Sequence, residues 1–364
     1  METTRVITIM PKKLCHSLLV GALGLLGLGS VQAAEPTLYL FNWSQYMDPA
    51  IIKQFEQKYH ARVVQNYYGS LGEMYAKLQS GGDAQYDIVV PSNYFVPRLI
   101  GAKLVKKLDK SKIPNAHNVL DTFKNPSYDP GLDYSVPYQW GTTGIVYDKR
   151  AFPDADHSWS LLFDPDKNPN QSFAMQGDGQ VMVGAACAYL GKGGTCTSLD
   201  DWRAAGQLLL KTRQRDNFDG FVDGTPVLQQ IERGTVKMGI AYNGDYVLDK
   251  ERDPQGFANI GFMLPREGAE KWVDSMMIPA HAPHPELAYK FINFIMDPRV
   301  GAQLSNYNRY SSPNKAAQPY LDSNLSQPPS LPSGDEMKHL YFSPALEGNQ
   351  LKQFQQLWNE VRSR

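Results

Sequence analysis

Residues 37–92 read TLYLFNWSQYMDPAIIKQFEQKYHARVVQNYYGSLGEMYAKLQSGGDAQYDIVVPS. The segment opens on an apolar strand (37–43), and Asp48-Pro49 then signals the start of an amphipathic helix (50–60). A second strand (61–68), a second helix (71–81) and a third strand (86–92) follow. Strands alternating with helices specify a parallel sheet with crossover helices, and ligands on such sheets sit beyond the carboxyl ends of the strands. Those ends carry Trp43, Ser44 and Tyr46 after the first strand, and Ser92 and Tyr94 after the third.

Outward from this segment the mixed pattern repeats. Residues 134–147 (YSVPYQWGTTGIVY) are β-like, with Gly141 and Gly144 inside, which suits a segment that crosses between two lobes and bends there. A strand (172–176), a helix (181–191), a longer helix (199–215), a short one (226–234) and a strand (236–245) would build a second lobe. A strand-like run (271–280) and a helix (285–298) then return toward the first sheet. The Ser/Pro-rich residues 318–334 read as a surface connection, because a helical ending (350–364) follows them.

Residues 1–33 read as an export signal: Lys12 and Lys13, an apolar run at 18–28, then Val31-Gln32-Ala33 for cleavage. About 20 apolar residues are needed to span a bilayer, so this run is too short for an anchor. Cys15 precedes the apolar run instead of closing it, so lipid attachment is not implied, and the address is the periplasm in a host with two membranes. Without those residues, which hold Arg5, Lys12, Lys13 and Glu2, 33 bases face 36 acids, a net charge of −3. No basic run stands out, so a nucleic-acid role lacks its electrostatic footprint. Cys187 and Cys196 remain. In an oxidising compartment they are read as a possible disulfide closing a loop through Gly193-Gly194, with two buried thiols as the alternative. The roughly 330 residues left exceed what one core usually serves, so two domains are expected.

Hydrolase, zinc-protease and phosphate-loop signatures are absent, which weakens an enzyme reading, and no cofactor is implied. His281 and His284 form the one close His pair, and Pro283 and Pro285 put them on a surface loop. What the chain offers is aromatic residues beside polar groups and carboxylates at strand ends: Asn42-Trp43-Ser44-Gln45-Tyr46, Tyr242-Asn243-Gly244-Asp245 and Trp272-Val273-Asp274. An aromatic face attracts a cation by about 0.5–2 kcal/mol, and a carboxylate adds a charge-assisted hydrogen bond, so these groups suit an ammonium. Taken singly, each motif is better explained by core aromatics and helix-capping aspartates.

The runs LYLFNWSQYMDP (38–49), YDIVVPSNYFV (86–96), LVKKLDKSKIPN (104–115), YSVPYQWGTTGI (134–145) and KWVDSMMIPA (271–280) together resemble the periplasmic spermidine/putrescine-binding proteins of bacterial ABC transporters. The resemblance is collinear over about residues 37–315. It implies an α/β, two-lobed periplasmic binding protein fold of type II, with residues 34–142 and 273–318 in one lobe and 143–272 and 319–364 in the other. It implies a monomeric, non-enzymatic carrier that closes on a small organic cation, a polyamine, and delivers it to a membrane permease and ATPase.

By the same resemblance Trp43 and Tyr46 are aromatic walls, Ser44 and Ser92 hydrogen-bonding groups, and Tyr94 and Tyr310 complete that side. Tyr242, Asp245, Trp272 and Asp274 face them, and Asp178 matches a carboxylate of the spermidine-type members. Val181 stands where the family usually has a ligand-binding Glu, and Gln45 where the putrescine-type members have Asp. Two carboxylates are thus missing, which leaves open a ligand with fewer amines than spermidine, one end bound through water, or a related cation such as agmatine, cadaverine or an ω-amino acid. Other readings are a sensor partner that docks on a receptor, sugar capture, and iron capture through Tyr67-Tyr68.

Overall fold

A computed structural model describes residues 35–363; the export signal read at 1–33 lies outside them. Three strands, β1 (Thr37–Trp43), β2 (Arg62–Tyr68) and β3 (Ile88–Val89), form a parallel sheet in the order β2-β1-β3. The first crossover helix, Pro49–Tyr59, starts where Asp48 accepts from the Ala50 N–H at 2.8 Å. It ends at His60, whose φ of 49° breaks the helix. Its Ile51, Ile52 and Phe55 are buried against Leu38, Leu40 and Ile88. The second, Leu71–Gln79, is capped by Ser70 and packs Met74 and Leu78 with Phe41 and Val89 on the opposite face. Alternating residues of β1 therefore feed two cores, as expected for a sheet covered on both sides. The third strand is far shorter than the span read from sequence, because Pro91 has no N–H to extend the ladder.

The second sheet contains β4 (Val136–Asp148), β5 (Phe173–Met175), β6 (Phe218–Phe221), β7 (Met238–Tyr242), β8 (Ile260–Met263), β9 (Ala269–Met276) and β10 (Leu340–Tyr341). Its order is β10-β9-β4-β7-β5-β6, with β8 also on β4. The long β4 divides its partners. Residues 136–142 pair with β9, whereas residues 143–148 pair with β7 and β8. β9 reaches the other way, since Asp274 bridges to Ser92 and the following Met277 to Val89 of the first sheet. These two antiparallel strands thus tie one sheet to the other.

Two expectations fail locally. The strand read through residue 245 stops at Tyr242, and Asn243 opens the helix Asn243–Arg252. Asn243 accepts from the Thr142 N–H at 3.0 Å and donates to the carbonyls of Pro329 and Ser330, which pins the strand end and turns the chain. The helix read at 285–298 ends at Ile295, and a second one, Pro298–Asn308, capped by Asp297, follows where no element is read from sequence.

Cys187 and Cys196 are joined in a disulfide, Cα–Cα 6.3 Å, closing a loop in which Gly191 and Gly193 take φ of 71° and 76°. Closing a loop of this length stabilises by about 2–3 kcal/mol in the chain-entropy view. Replacing both cysteines by serine is expected to remove about that much, read as a lower denaturation midpoint in urea. Among the described residues no helix is long and apolar enough to cross a membrane.

Candidate functional site

The strand ends of both sheets deliver their distinctive residues to one place. Trp43 closes β1, Ser92 and Tyr94 follow β3, and Tyr242 closes β7. Asp178 caps the helix Gly179–Tyr189 that follows β5, and Asp245 lies in the first turn of the helix that follows β7. Trp272 and Asp274 alternate on β9, and Tyr310 follows the helix Pro298–Asn308 through Arg309, whose φ is 65°.

Their rings form an edge-to-face series. Tyr242 meets Trp272 with centroids 5.7 Å apart, Trp272 meets Tyr310 at 5.0 Å, Tyr310 meets Tyr46 at 5.5 Å, and Tyr46 meets Tyr138 at 5.3 Å. Trp43 leans on Tyr68 at 4.6 Å. Two glycines let these rings lie on backbone. A Cβ on Gly141 would come 2.6 Å from the Trp272 ring, and one on Gly244 would come 2.4 Å from Tyr310. Gly244→Ala is therefore expected to displace Tyr310 and cost about 1–3 kcal/mol, the usual penalty of overpacking, measured by urea denaturation.

Four carboxylates meet these rings. Asp274, only 5% exposed, accepts from the Ser92 hydroxyl at 2.5 Å. The Tyr46 hydroxyl sits beside it, close enough to feel its charge but outside hydrogen-bonding geometry. Asp245 accepts from Tyr310 at 2.5 Å and from Thr225 at 2.8 Å. Asp178 accepts from the Tyr94 hydroxyl at 2.8 Å and from the Gln180 N–H at 2.7 Å. Glu270, 4% exposed, accepts from Thr143 at 3.0 Å and Ser343 at 2.6 Å.

Among the described residues none of the four takes part in an ion pair. Burial pushes Asp274 up to about 7, and burial followed by the charge of Asp178 does the same to Glu270. Asp178 and Asp245 are raised too, again chiefly by burial. Buried carboxylates without bases are electrostatically incomplete, and either protons or a bound cation must complete them. The Trp43 and Trp272 indole N–H groups and the Gln176 amide oxygen are likewise buried without a partner. Among the described residues no three His, Cys, Asp or Glu converge to hold a metal.

The profile of the bacterial extracellular solute-binding proteins matches residues 50–333. The spermidine/putrescine-binding periplasmic protein of Salmonella typhimurium is 34% identical over 319 residues, 87% of this chain and 88% of its own. The putrescine-binding periplasmic protein SpuD of Pseudomonas aeruginosa is 31% identical over 350 residues, 92% and 94% of the two chains. The crystal structure of the spermidine/putrescine ABC transporter substrate-binding protein PotD of Streptococcus pneumoniae superimposes with a TM-score of 0.77 at 27% identity, covering 90% of this chain and all of that one. The chain belongs to the bacterial extracellular solute-binding family. Its architecture is the type II periplasmic binding protein fold, with mixed sheets flanked by helices.

Within this family fold, ten of the eleven residues singled out from sequence lie in or beside the ring and carboxylate network. Ser44 is exposed on the turn after β1, outside that network. Gln45 is exposed next to it with φ 55°, and Val181 is buried in the core beneath its helix. Tyr67 is 51% exposed, whereas Tyr68 is buried and donates to the Val90 carbonyl, so the two face opposite ways and do not converge on one ion. His281 and His284 pair with different aspartates, Asp83 and Asp87. Glu270, Thr225 and Gln176 were missed. Strand alternation could have found Glu270, which shares a face of β9 with Trp272 and Asp274.

Proposed function

We propose that this chain is an exported carrier that closes on a linear polyamine and presents it to a membrane permease and ATPase of the ABC type. The observation that carries this reading is the set of four buried carboxylates beside aromatic rings, none of which takes part in an ion pair among the described residues, with only the more distant Arg252 acting on Asp245. Each ammonium of a polyamine would find a carboxylate, and the methylenes between them would lie on the faces of Trp43, Trp272 and Tyr310. Asp245 and Asp274 supply the principal countercharge; Tyr46, Ser92, Tyr94 and Tyr242 fix where the amines sit, and Asp178 adds a further carboxylate. Neutral sugars would use the rings but leave four charges unpaired. Relatives named for spermidine and putrescine support the same ligand class.

The two lobes are residues 34–142 with 273–318, and residues 143–272 with 319–364. Closure pivots on β4 and β9, where Gly141 and Trp272 are register partners. The monomer acts in the periplasm once residues 1–33 are removed. A thermal-shift screen with putrescine, spermidine, cadaverine, agmatine, an ω-amino acid and glucose tests this. A ligand at about 100 times its Kd stabilises by about 2.7 kcal/mol, a shift of several degrees. Polyamines are expected to give it. A shift with glucose and none with any amine would overturn the reading.

A further inference from the structure

The last strand of the second sheet begins a short strap. β10 pairs with β9 at Ala269 and Glu270, and just beyond it the Ser343 hydroxyl donates to Glu270 at 2.6 Å. The next carbonyl, that of Pro344, accepts from the Gln180 side chain at 3.0 Å, and the Gln180 backbone N–H in turn donates to Asp178 at 2.7 Å. Residues 340–344 therefore run from one of the four carboxylates to the helix cap formed by another. Both acids lie far from the strap in sequence, so whatever seats the strap acts on them from outside the slot.

The Tyr341 ring is what seats it. The ring lies against two glycines: a Cβ on Gly194 would overlap it, and one on Gly184 would come 2.9 Å from its hydroxyl oxygen. Gly184 shares the helix Gly179–Tyr189 with Cys187, and Gly194 lies in the loop that the Cys187–Cys196 disulfide closes. The disulfide thus holds the two halves of the socket together. The Tyr341 hydroxyl is buried without a partner, so packing of the ring, and not a hydrogen bond, keeps it there. Thr195 of the same loop, Tyr341, Ser343 and Pro344 of the strap, and Tyr94, whose hydroxyl donates to Asp178, all line one cavity of about 540 Å³. Loop, strap and a ring of the site meet in that space.

We infer that Tyr341 is a positioning residue for the polyamine site: seated by the disulfide loop, it fixes the strap that orients Glu270 and ties down the cap at Asp178, so that losing either the ring or the disulfide weakens ligand binding as well as the fold. This rests on the polyamine reading above and adds residues which that reading does not use. An unseated strap takes the Ser343 hydroxyl from Glu270 and the Pro344 carbonyl from Gln180, and both carboxylates then have more than one pose open to them. Only a fraction of the protein holds the binding pose at any time, and affinity falls by that fraction.

The test is calorimetric titration with spermidine and with putrescine, well below the melting temperature, of the wild-type protein, Tyr341→Phe, Tyr341→Ala and the double variant Cys187→Ser with Cys196→Ser. Tyr341→Phe keeps the ring and loses only a hydroxyl without a partner, and it is expected to bind within about twofold of wild type. Tyr341→Ala and the double cysteine variant are each expected to bind at least about fivefold more weakly. Affinity is read on folded protein, so a loss of stability alone leaves it unchanged. If Tyr341→Ala does not fold, the cysteine variant, which loses a cross-link and no ring, carries the comparison. Wild-type affinity in either folded variant would overturn the inference and leave the polyamine reading standing. Equal losses in Tyr341→Phe and Tyr341→Ala would also overturn it, because the ring would not be what matters. Wild-type protein that binds neither amine would overturn both.

Discussion

Asp274→Asn is expected to weaken polyamine binding by about 100-fold or more while raising the melting temperature of the ligand-free protein. Both effects come from one fact: this carboxylate is 5% exposed, is held by the Ser92 hydroxyl, and has no base beside it. In the complex it would face a desolvated ammonium, and removing one member of a buried charge pair typically costs about 3–5 kcal/mol because the other member is stranded. Without ligand the sign reverses. The same carboxylate is then the stranded group, and a neutral amide of the same shape relieves it while keeping an acceptor for Ser92. Titration calorimetry reads the first effect and differential scanning calorimetry the second. Unchanged affinity would remove Asp274 from the site, and a large fall in the ligand-free melting temperature would show that its charge is structural.

Acidity should act on the ligand-free and ligand-bound proteins in opposite directions. Asp274 and Glu270 are each pushed up to about 7, from ordinary values of 3.8 and 4.5, chiefly by burial. Between about pH 4 and 7 the folded protein holds protons that the unfolded chain has released, so raising the pH through that window destabilises the fold. The loss is complete above about 7 and amounts to a few kcal/mol per group. Asp178 and Asp245, also raised, act in the same sense. Acids held low by bases, such as the buried Asp148 beside Arg150, act the other way, but only as the pH falls below about 4. The ligand-free protein is therefore expected to melt at a higher temperature at pH 5.5 than at pH 8.

A polycation needs the ionised carboxylates, so its affinity should fall as the pH drops through 7, and the shift in melting temperature that it causes should be larger at pH 8 than at pH 5.5. Binding near pH 7 should also release protons, which appears as a heat that varies with the ionisation enthalpy of the buffer. A ligand-induced shift independent of pH would contradict burial without a base as the cause of the raised values.

The parallel sheet was legible from residues 37–92 because a strand buried on both faces and an amphipathic helix leave different periodicities, and Asp48-Pro49 and Ser70 mark where the helices start. The β character of residues 134–147 was legible too, and Gly141 within it proves to be where the Trp272 ring crosses the backbone. Less visible were features set by distant partners. Asp245 was read on a strand because nothing local says that Asn243 will be tied to residues 329 and 330, and that tie is what turns the chain into a helix. Glu270 was passed over because a glutamate in a charged run, Glu270-Lys271, looks solvated. Burial on β9 comes from β4 on one side and from Ser343, far along the chain, on the other. Ser44, a candidate through its place after β1 and through the resemblance, is exposed on the turn there, outside the network of rings and carboxylates.

The structure of the complex with spermidine, determined by crystallography, bears most directly on the claim that buried acids framed by aromatic rings hold ammonium groups. The expected result is an amine nitrogen within about 3 Å of an Asp274 oxygen, a second equally close to Asp245, and methylenes against Trp272. Spermidine bound elsewhere, with the four carboxylates still joined only to hydroxyl, amide and water partners, would contradict it.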